Sequence, residues 1–304
     1  MEVFKIILSG RFEFGTPRSF ENVRKLYVER SEVHYRNQVL LNAEDHFDEE
    51  ALCFNLPRAV FESNKKIWEN TIRQLEFIAG YAISGAVFAY LTQGGKKIEE
   101  FVIEPRGDRD AILAFEAGKV LEQEGQEKEA YEAYSKAIEK FERHAMAYER
   151  RGYTNITLKK MADALYDFDK SIGIYPHNPG AYFGKGLVYL KEKRWEEATE
   201  AFKNAHTFSI PHQPIFWKAK RLKGECLMEL QRWEEAEKEF SFFVKRQFER
   251  GNPNLKDLTR TWLNLGVTLL EQGKKDEAIK AFQQAINGDE PVNKKASEIL
   301  EKLI

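Results

Sequence analysis

Three residues near the start of the chain, His34, His46 and Cys53, are of the types that hold metals or serve as base and nucleophile, and Asp45 and Asp48 stand among them. A histidine beside a cysteine can activate a thiolate, and histidines with carboxylates can hold a divalent cation. The stretch from Glu44 to Glu50 is so acidic, however, that it reads as a solvated loop beside a buried strand cysteine. His206 and His212 flank a loop containing Pro211 and lack a carboxylate or thiol at ligand spacing. Gly184-Lys185-Gly186 has neither the glycine spacing nor the Lys-Ser/Thr ending of a phosphate loop. Asn155-Ile156-Thr157 fits the glycosylation sequon but falls inside a predicted helix. No catalytic, cofactor-binding or metal-binding residue is assigned, and the expectation is a protein that is not an enzyme and carries no cofactor.

The elements that would position any site are bounded by composition. The 304 residues suffice for two domains of ordinary size, and 47 Lys plus Arg against 49 Asp plus Glu give a net charge of -2. That balance supplies no global field for a phosphate backbone, so nucleic acid is not an expected partner. Two cysteines, Cys53 and Cys226, build neither a disulfide framework nor a four-cysteine zinc site, which suits a reducing cytoplasm. The apolar core of residues 1–14 is too short for a secretory signal. Phe77 to Gly95 runs 19 residues without a charge. Its Gly80, Gly85, Gly94 and Gly95 predict a helix end, a strand start and a Gln93-Gly94-Gly95-Lys96 hairpin turn instead of a membrane span.

The C-terminal two-thirds is internally periodic. Glycines at 118, 152, 186, 224 and 266 are spaced 34, 34, 38 and 42 apart. Twelve residues after each stands an alanine (Ala130, Ala164, Ala198, Ala236, Ala278), and four further on an aromatic (Tyr134, Phe168, Phe202, Phe240, Phe282). Small residues at fixed steps let helix backbones approach, and an aromatic one turn away fills the gap. Gly125 and Gly273 fall between the helices of their repeats, while Pro176, Pro179, Pro211 and Pro291 fall between repeats. This pattern resembles the tetratricopeptide repeat, a helix-turn-helix unit of about 34 residues. Five repeats are expected over residues 111–292, starting near 111, 145, 179, 217 and 259, with residues 293–304 as a capping helix that places Ala296, Ile299, Leu300 and Leu303 on one face. Repeat four departs from the pattern, with Lys220 where an aromatic is usual and Phe243 where a small residue is usual.

Residues 1–108 lack the repeat. Strands are predicted over residues 3–14, 33–41, 51–61 and 88–103, the last a hairpin, with Pro57 marking an edge, and helices over 19–30 and 64–79. The fold class is therefore an N-terminal α+β domain with a mostly antiparallel sheet, followed by an all-α superhelix of five tetratricopeptide repeats and a C-terminal capping helix.

The resemblance implies an inner concave face built from positions 2, 5, 9 and 12 of each repeat's first helix. Its partner-binding residues would be Phe115, Tyr153, Ile156, Phe183, Leu187, Leu190, Lys218, Arg221, Met228, Arg260, Leu263 and Val267, apolar at the centre with Lys218, Arg221 and Arg260 as a basic edge. Some family members clamp a chaperone C-terminal carboxylate with Lys and Asn at positions 5 and 9. Here those positions hold Phe115 and Lys119 in repeat one and Phe183 and Leu187 in repeat three, so that partner is not expected. The expected function is a cytoplasmic adaptor or scaffold that binds a protein or peptide with apolar anchors and acidic residues. The alternatives are an enzyme or ligand sensor in the N-terminal domain with the repeats recruiting substrate, a groove filled by the protein itself, and, more remotely, nucleic-acid binding through Lys218 to Lys223.

Overall fold

A computed structural model describes residues 2–303; Met1 and Ile304, the last residue of the expected capping helix, lie outside the described residues. The chain divides into two compact units, one up to Ala181 and one from Tyr182, with the boundary inside a helix.

The first unit opens with β1 (Phe4–Glu13), α1 (Pro17–Glu29), β2 (Phe47–Asp48), β3 (Cys53–Ser63), α2 (Lys65–Ala79), β4 (Ser84–Gln93) and β5 (Lys96–Ile103). The strands form one sheet in the order β2-β3-β1-β4-β5, every pair antiparallel. Even-numbered residues of β1, including Ile6, Leu8 and Phe12, share a core with Phe20, Val23 and Tyr27 of α1 and Trp68, Ile72, Leu75 and Ile78 of α2. The odd-numbered residues Ile7, Ser9, Arg11 and Glu13 are buried as well, so this central strand is covered on both faces. Asn64 caps α2 by accepting from the Ile67 N–H at 3.1 Å. Pro57 lies in β3 beyond the two residues that pair with β2, where the strand is effectively an edge. The uncharged stretch from Phe77 resolves into the end of α2, β4 and a Gly94-Gly95 turn, and no described helix is long and apolar enough to cross a membrane.

One predicted strand is absent. Residues 33–41 alternate apolar side chains at Val33, Tyr35, Val39 and Leu41, but α1 runs on through a π-helical turn over Arg30–His34. Arg36 (φ 51°) and Asn37 (φ 59°) then adopt left-handed backbone, which breaks any extended run and leaves Val33 75% exposed.

Helix pairs follow: α3 (Asp110–Gln123) with α4 (Glu127–Lys140), α5 (Ala145–Thr157) with α6 (Met161–Ile174), α7 (Pro179–Lys191) with α8 (Trp195–Phe208), α9 (Pro214–Glu229) with α10 (Trp233–Val244), and α11 (Leu258–Glu271) with α12 (Lys275–Ala285). The final α13 (Glu290–Leu303) packs Ala296 and Leu300 onto the last pair, with Pro291 in its first turn and not in a linker. A Cβ added to any of the five repeat glycines would sit 2.5–2.7 Å from the paired aromatic ring, Tyr134, Phe168, Phe202, Phe240 or Phe282. Each first helix ends on a left-handed residue, Gly125, Lys159, Lys193, Gln231 or Gly273, φ 56–75°. The next N–H reaches back to a carbonyl five residues earlier at 2.8–2.9 Å in all five, the bond that closes a helix C-terminus. Only two of these sites spend a glycine on the turn.

The fourth pair accommodates its unusual residues. α9 starts at Pro214, three residues before the expected 217, because proline is well suited to a first helical turn. Trp217 stacks on Phe242 (5.4 Å, 16°), meets Phe243 edge-on at 6.4 Å and donates its indole N–H to the Pro211 carbonyl at 2.7 Å. Lys220 pairs with Glu239 at 2.8 Å.

Candidate protein-binding surface

In the first unit, Phe115 and Ile156 of the predicted surface residues are buried, and Tyr153 is half-buried with its hydroxyl engaged. Phe115, on α3, is only 8% exposed and packs against Tyr134 (5.8 Å between centroids) and His144 (4.8 Å). A narrow cleft around it is walled by Ile83, Ser84 and Gly85 at the start of β4 and by Pro105, so the sheet covers this part of the helix array. Charge fixes the same contact: Arg143 reaches the buried Glu13 of β1 at 3.3 Å, and Lys119 pairs with Glu104 at 3.1 Å. Tyr175 is buried and hydrogen-bonded to Ser9 of β1.

Tyr153 spends its hydroxyl on the Gly180 carbonyl at 2.6 Å and sets its ring edge-on to Phe168. Ile156 is buried. Nearby, a buried polar network has Asn178 donating to Glu149 Oε2 at 2.8 Å and to Ser171 Oγ at 2.9 Å. Burial holds the Glu149 carboxyl above its ordinary range. These groups build an internal joint whose donors and acceptors are already satisfied.

In the second unit the predicted residues separate into two kinds. Phe183 (5% exposed), Leu263 (6%) and Arg221 (6%) belong to the interior. Phe183 packs on Phe202 at 5.5 Å. Arg221, expected at a basic edge, donates from Nη1 to Glu225 at 2.6 Å, and its Nη2 forms a looser ion pair with Asp257 at 3.6 Å. The spacing of Arg221 and Glu225, four apart on one helix, is a legible signal for that pairing; Asp257 comes from the turn before α11. By contrast Leu187, Leu190, Met228 and Val267 are half-buried, and Lys218 and Arg260 are exposed. Lys218 Nζ lies 5.7 Å from the Phe183 ring centroid, and Arg260 Nε 3.9 Å from Glu225. The second unit thus leaves two exposed cations and four half-buried apolar side chains where a contiguous apolar groove with three cations is expected.

The sequence pattern of the tetratricopeptide repeat family matches residues 115–179 and 218–290. The chain carries a tetratricopeptide-repeat array. Among solved structures it is similar to YrrB, described as a TPR protein with an unusual peptide-binding site, at 21% identity and TM-score 0.52, over 64% of this chain and 93% of that one. It is similar also to MamA, at 16% identity and TM-score 0.50 over 62% of this chain and 95% of the other. At these identities the likeness is one of fold. No curated protein matches the chain.

The chemistry-bearing residues of the N-terminal sheet do not assemble. Burial pushes the Cys53 thiol up to about 12, which keeps it protonated and poorly nucleophilic. His46 Nδ1 faces the Asn55 carbonyl oxygen at 3.3 Å, and His34 is exposed on the π-helical turn. Among the described residues no three His, Cys, Asp or Glu side chains are grouped as a metal site requires.

One histidine inside the tetratricopeptide array is tuned by its surroundings. His144 caps α5 by accepting the Ala147 N–H on Nδ1 at 3.1 Å, while its Nε2 is buried without a hydrogen-bond partner. Burial pushes it down to about 3. A base whose folded value lies below the unfolded 6.5 contributes stability that is complete above 6.5 and is lost as pH falls toward 3. Acidification from pH 7 to 5 should therefore cost about 2 kcal/mol from this group. Buried carboxylates held above their ordinary range, Glu13, Glu149 and Asp167, act in the opposite direction. The informative quantity is the difference between wild type and His144→Asn, which keeps a capping side chain but cannot titrate. Urea unfolding at both pH values should show the wild type losing more stability than the variant; equal losses would contradict the buried neutral imidazole.

Proposed function

We propose that this protein is a non-enzymatic adaptor of the cytoplasm that presents the half-buried row of Leu187, Leu190, Met228 and Val267, with Lys218 and Arg260 beside it, to a protein or peptide carrying apolar anchors and acidic residues. The observation that carries the reading is the contrast along the array. Phe115 is covered by the protein's own sheet, whereas these positions in residues 182–304 retain exposed apolar area, and Lys218 and Arg260 of the same unit are exposed. The description of YrrB as having a peptide-binding site supports a peptide as the ligand class. Aliphatic anchors that become fully desolvated carry most of the binding energy at such surfaces, while exposed cations set orientation and on-rate.

Affinity capture with mass spectrometry would supply the partner, and titration of a peptide from it would measure the site. Leu187→Ala with Leu190→Ala should weaken binding by about 2 kcal/mol, the scale of a hot spot. Lys218→Glu with Arg260→Glu should weaken it at low salt by an amount that fades as ionic strength rises, because exposed charges are screened over roughly 10 Å at 0.1 M. If both double variants keep their fold and bind as the wild type does, the surface lies elsewhere.

A further inference from the structure

The N-terminal sheet ends on an uncovered strand. β5 is last in the order β2-β3-β1-β4-β5, and no strand among the described residues pairs with its outer side. The opposite edge is blunted, since β2 has only two residues, but β5 has eight and is exposed along nearly its whole length. Three of its large apolar side chains face solvent, Ile98 (50%), Phe101 (36%) and Val102 (49%). An exposed edge with unpaired backbone groups and apolar side chains is a template for another strand.

Its charges point to which strand. The register between β4 and β5 shifts, with Thr92 opposite Lys97 and Leu91 opposite Glu99, so Ile98 is an extra, bulged residue. In a regular strand residues three apart would project to opposite faces. The bulge instead sets Lys97 and Glu100 on the same face, where they form an ion pair at 2.5 Å. Glu99 and Phe101 project to the other face, where Glu99 accepts from the Trp68 indole at 2.7 Å and Phe101 packs on the Trp68 ring at 5.9 Å.

We infer that β5 pairs antiparallel with β5 of a second copy of this chain, about a two-fold axis between Ile98 and Glu99, joining two five-stranded sheets into one. In that register Lys97 of each copy lies opposite Glu100 of the other and Lys96 lies opposite Phe101, each pair on a shared face, while the bulged Ile98 and Glu99 flank the axis. The symmetry is what makes a strand with paired Lys and paired Glu complementary to itself: every attractive pair occurs twice. Cross-strand opposite charges stabilise a pair, and like charges directly opposite destabilise it. The Lys96 stem meanwhile covers the exposed Phe101 ring. A slip of one residue sets Lys97 against Glu99 or Phe101, which belong to the other face, and so loses the match. Bulges and lysines are also devices that guard an edge against pairing, and the charge arrangement makes the two possibilities separable.

The test is sedimentation of the full chain, with circular dichroism as a check on folding. Wild type should sediment as a dimer of the 35.4 kDa chain. Lys97→Glu and Glu100→Lys should each raise the dimer dissociation constant tenfold or more, because each sets two like-charge pairs across the axis. Mixed one to one, these two variants should regain a dimer, since the carboxylates of one copy then face the ammonium groups of the other across both pairs. The double variant Lys97→Glu, Glu100→Lys should dimerise alone. A wild type that stays monomeric up to about 100 μM, weaker than the affinity expected of a stable specific interface, overturns the proposal. So does a dimer that neither single variant weakens, or a mixture of folded single variants that stays monomeric.

Discussion

Phe202→Ala should lower the unfolding free energy of the protein by about 3–5 kcal/mol, the range for removing a buried aromatic ring from a core that cannot collapse around the loss. The ring is fully buried and packed against Phe183. Its neighbour on α7 is Gly186, whose missing side chain leaves the ring its place: a Cβ there would lie 2.5 Å from the ring. The buried neighbours on its own helix, Ala198, Ala201 and Ala205, are too short to fill the void, and Phe183 is a rigid ring that is itself buried. The same geometry ties a second substitution to the first. Gly186→Ala should cost about 1–3 kcal/mol in the wild type through overpacking, and much less beside Phe202→Ala, where the methyl enters the vacated space. Ala198→Leu should resemble Gly186→Ala in sign and size. Denaturant titration of the two single variants and the double variant measures the coupling. Additive losses would mean that Gly186 and Phe202 do not share a contact, and the assigned pairing of glycine with aromatic would fall.

That pairing is legible in the amino-acid sequence because five repeats present it five times, and the physical constraint is local. A small residue on one helix and an aromatic sixteen positions later meet across one tight turn, and turn length varies little between repeats. The first helices accordingly begin at 110, 145, 179, 214 and 258, against expected starts of 111, 145, 179, 217 and 259. Two closing turns announce themselves as Gly125 and Gly273. Lys159, Lys193 and Gln231 adopt the same left-handed backbone without the residue type that signals it. The strand expected over 33–41 shows the converse, an alternation of apolar residues in a segment whose backbone is set by a π-helical turn and two left-handed residues.

The candidate site is less legible, since it depends on contacts between segments distant in sequence. Nothing in the surroundings of Phe115 indicates that the start of β4, some thirty residues earlier, closes over it. A helical periodicity assigns a side chain to a face, but whether that face meets solvent or another part of the same chain is a tertiary fact. Phe183 and Leu187 are four apart on α7 and share a stripe, yet Phe183 is buried and Leu187 is half-exposed. The useful residue for a binding test is therefore Leu187.

Arg221 carries the sharpest consequence of that distinction. As a cation at the rim of a groove, it would be expected to tolerate replacement with little loss of stability and to affect only partner binding, in a salt-dependent way. The structure places it at 6% exposure between Glu225 and Asp257; Arg260, 3.9 Å from Glu225, is farther away and itself 62% exposed at the side chain. Arg221→Ala would leave the two carboxylates facing a desolvated gap. Breaking a fully buried ion pair costs about 3–5 kcal/mol, and because both carboxylates are about one-fifth exposed the loss here should be smaller, about 2–3 kcal/mol. Arg221→Lys should recover only part of it, since an ammonium on a flexible stem cannot address Glu225 and Asp257 with the two arms of a planar fork. Arg260→Ala, on the exposed side of the same cluster, should stay within about 0.5 kcal/mol of wild type. Equilibrium unfolding of the three variants separates the two roles. An Arg221→Ala protein as stable as Arg260→Ala would return Arg221 to the surface and with it a third cation to the proposed binding site.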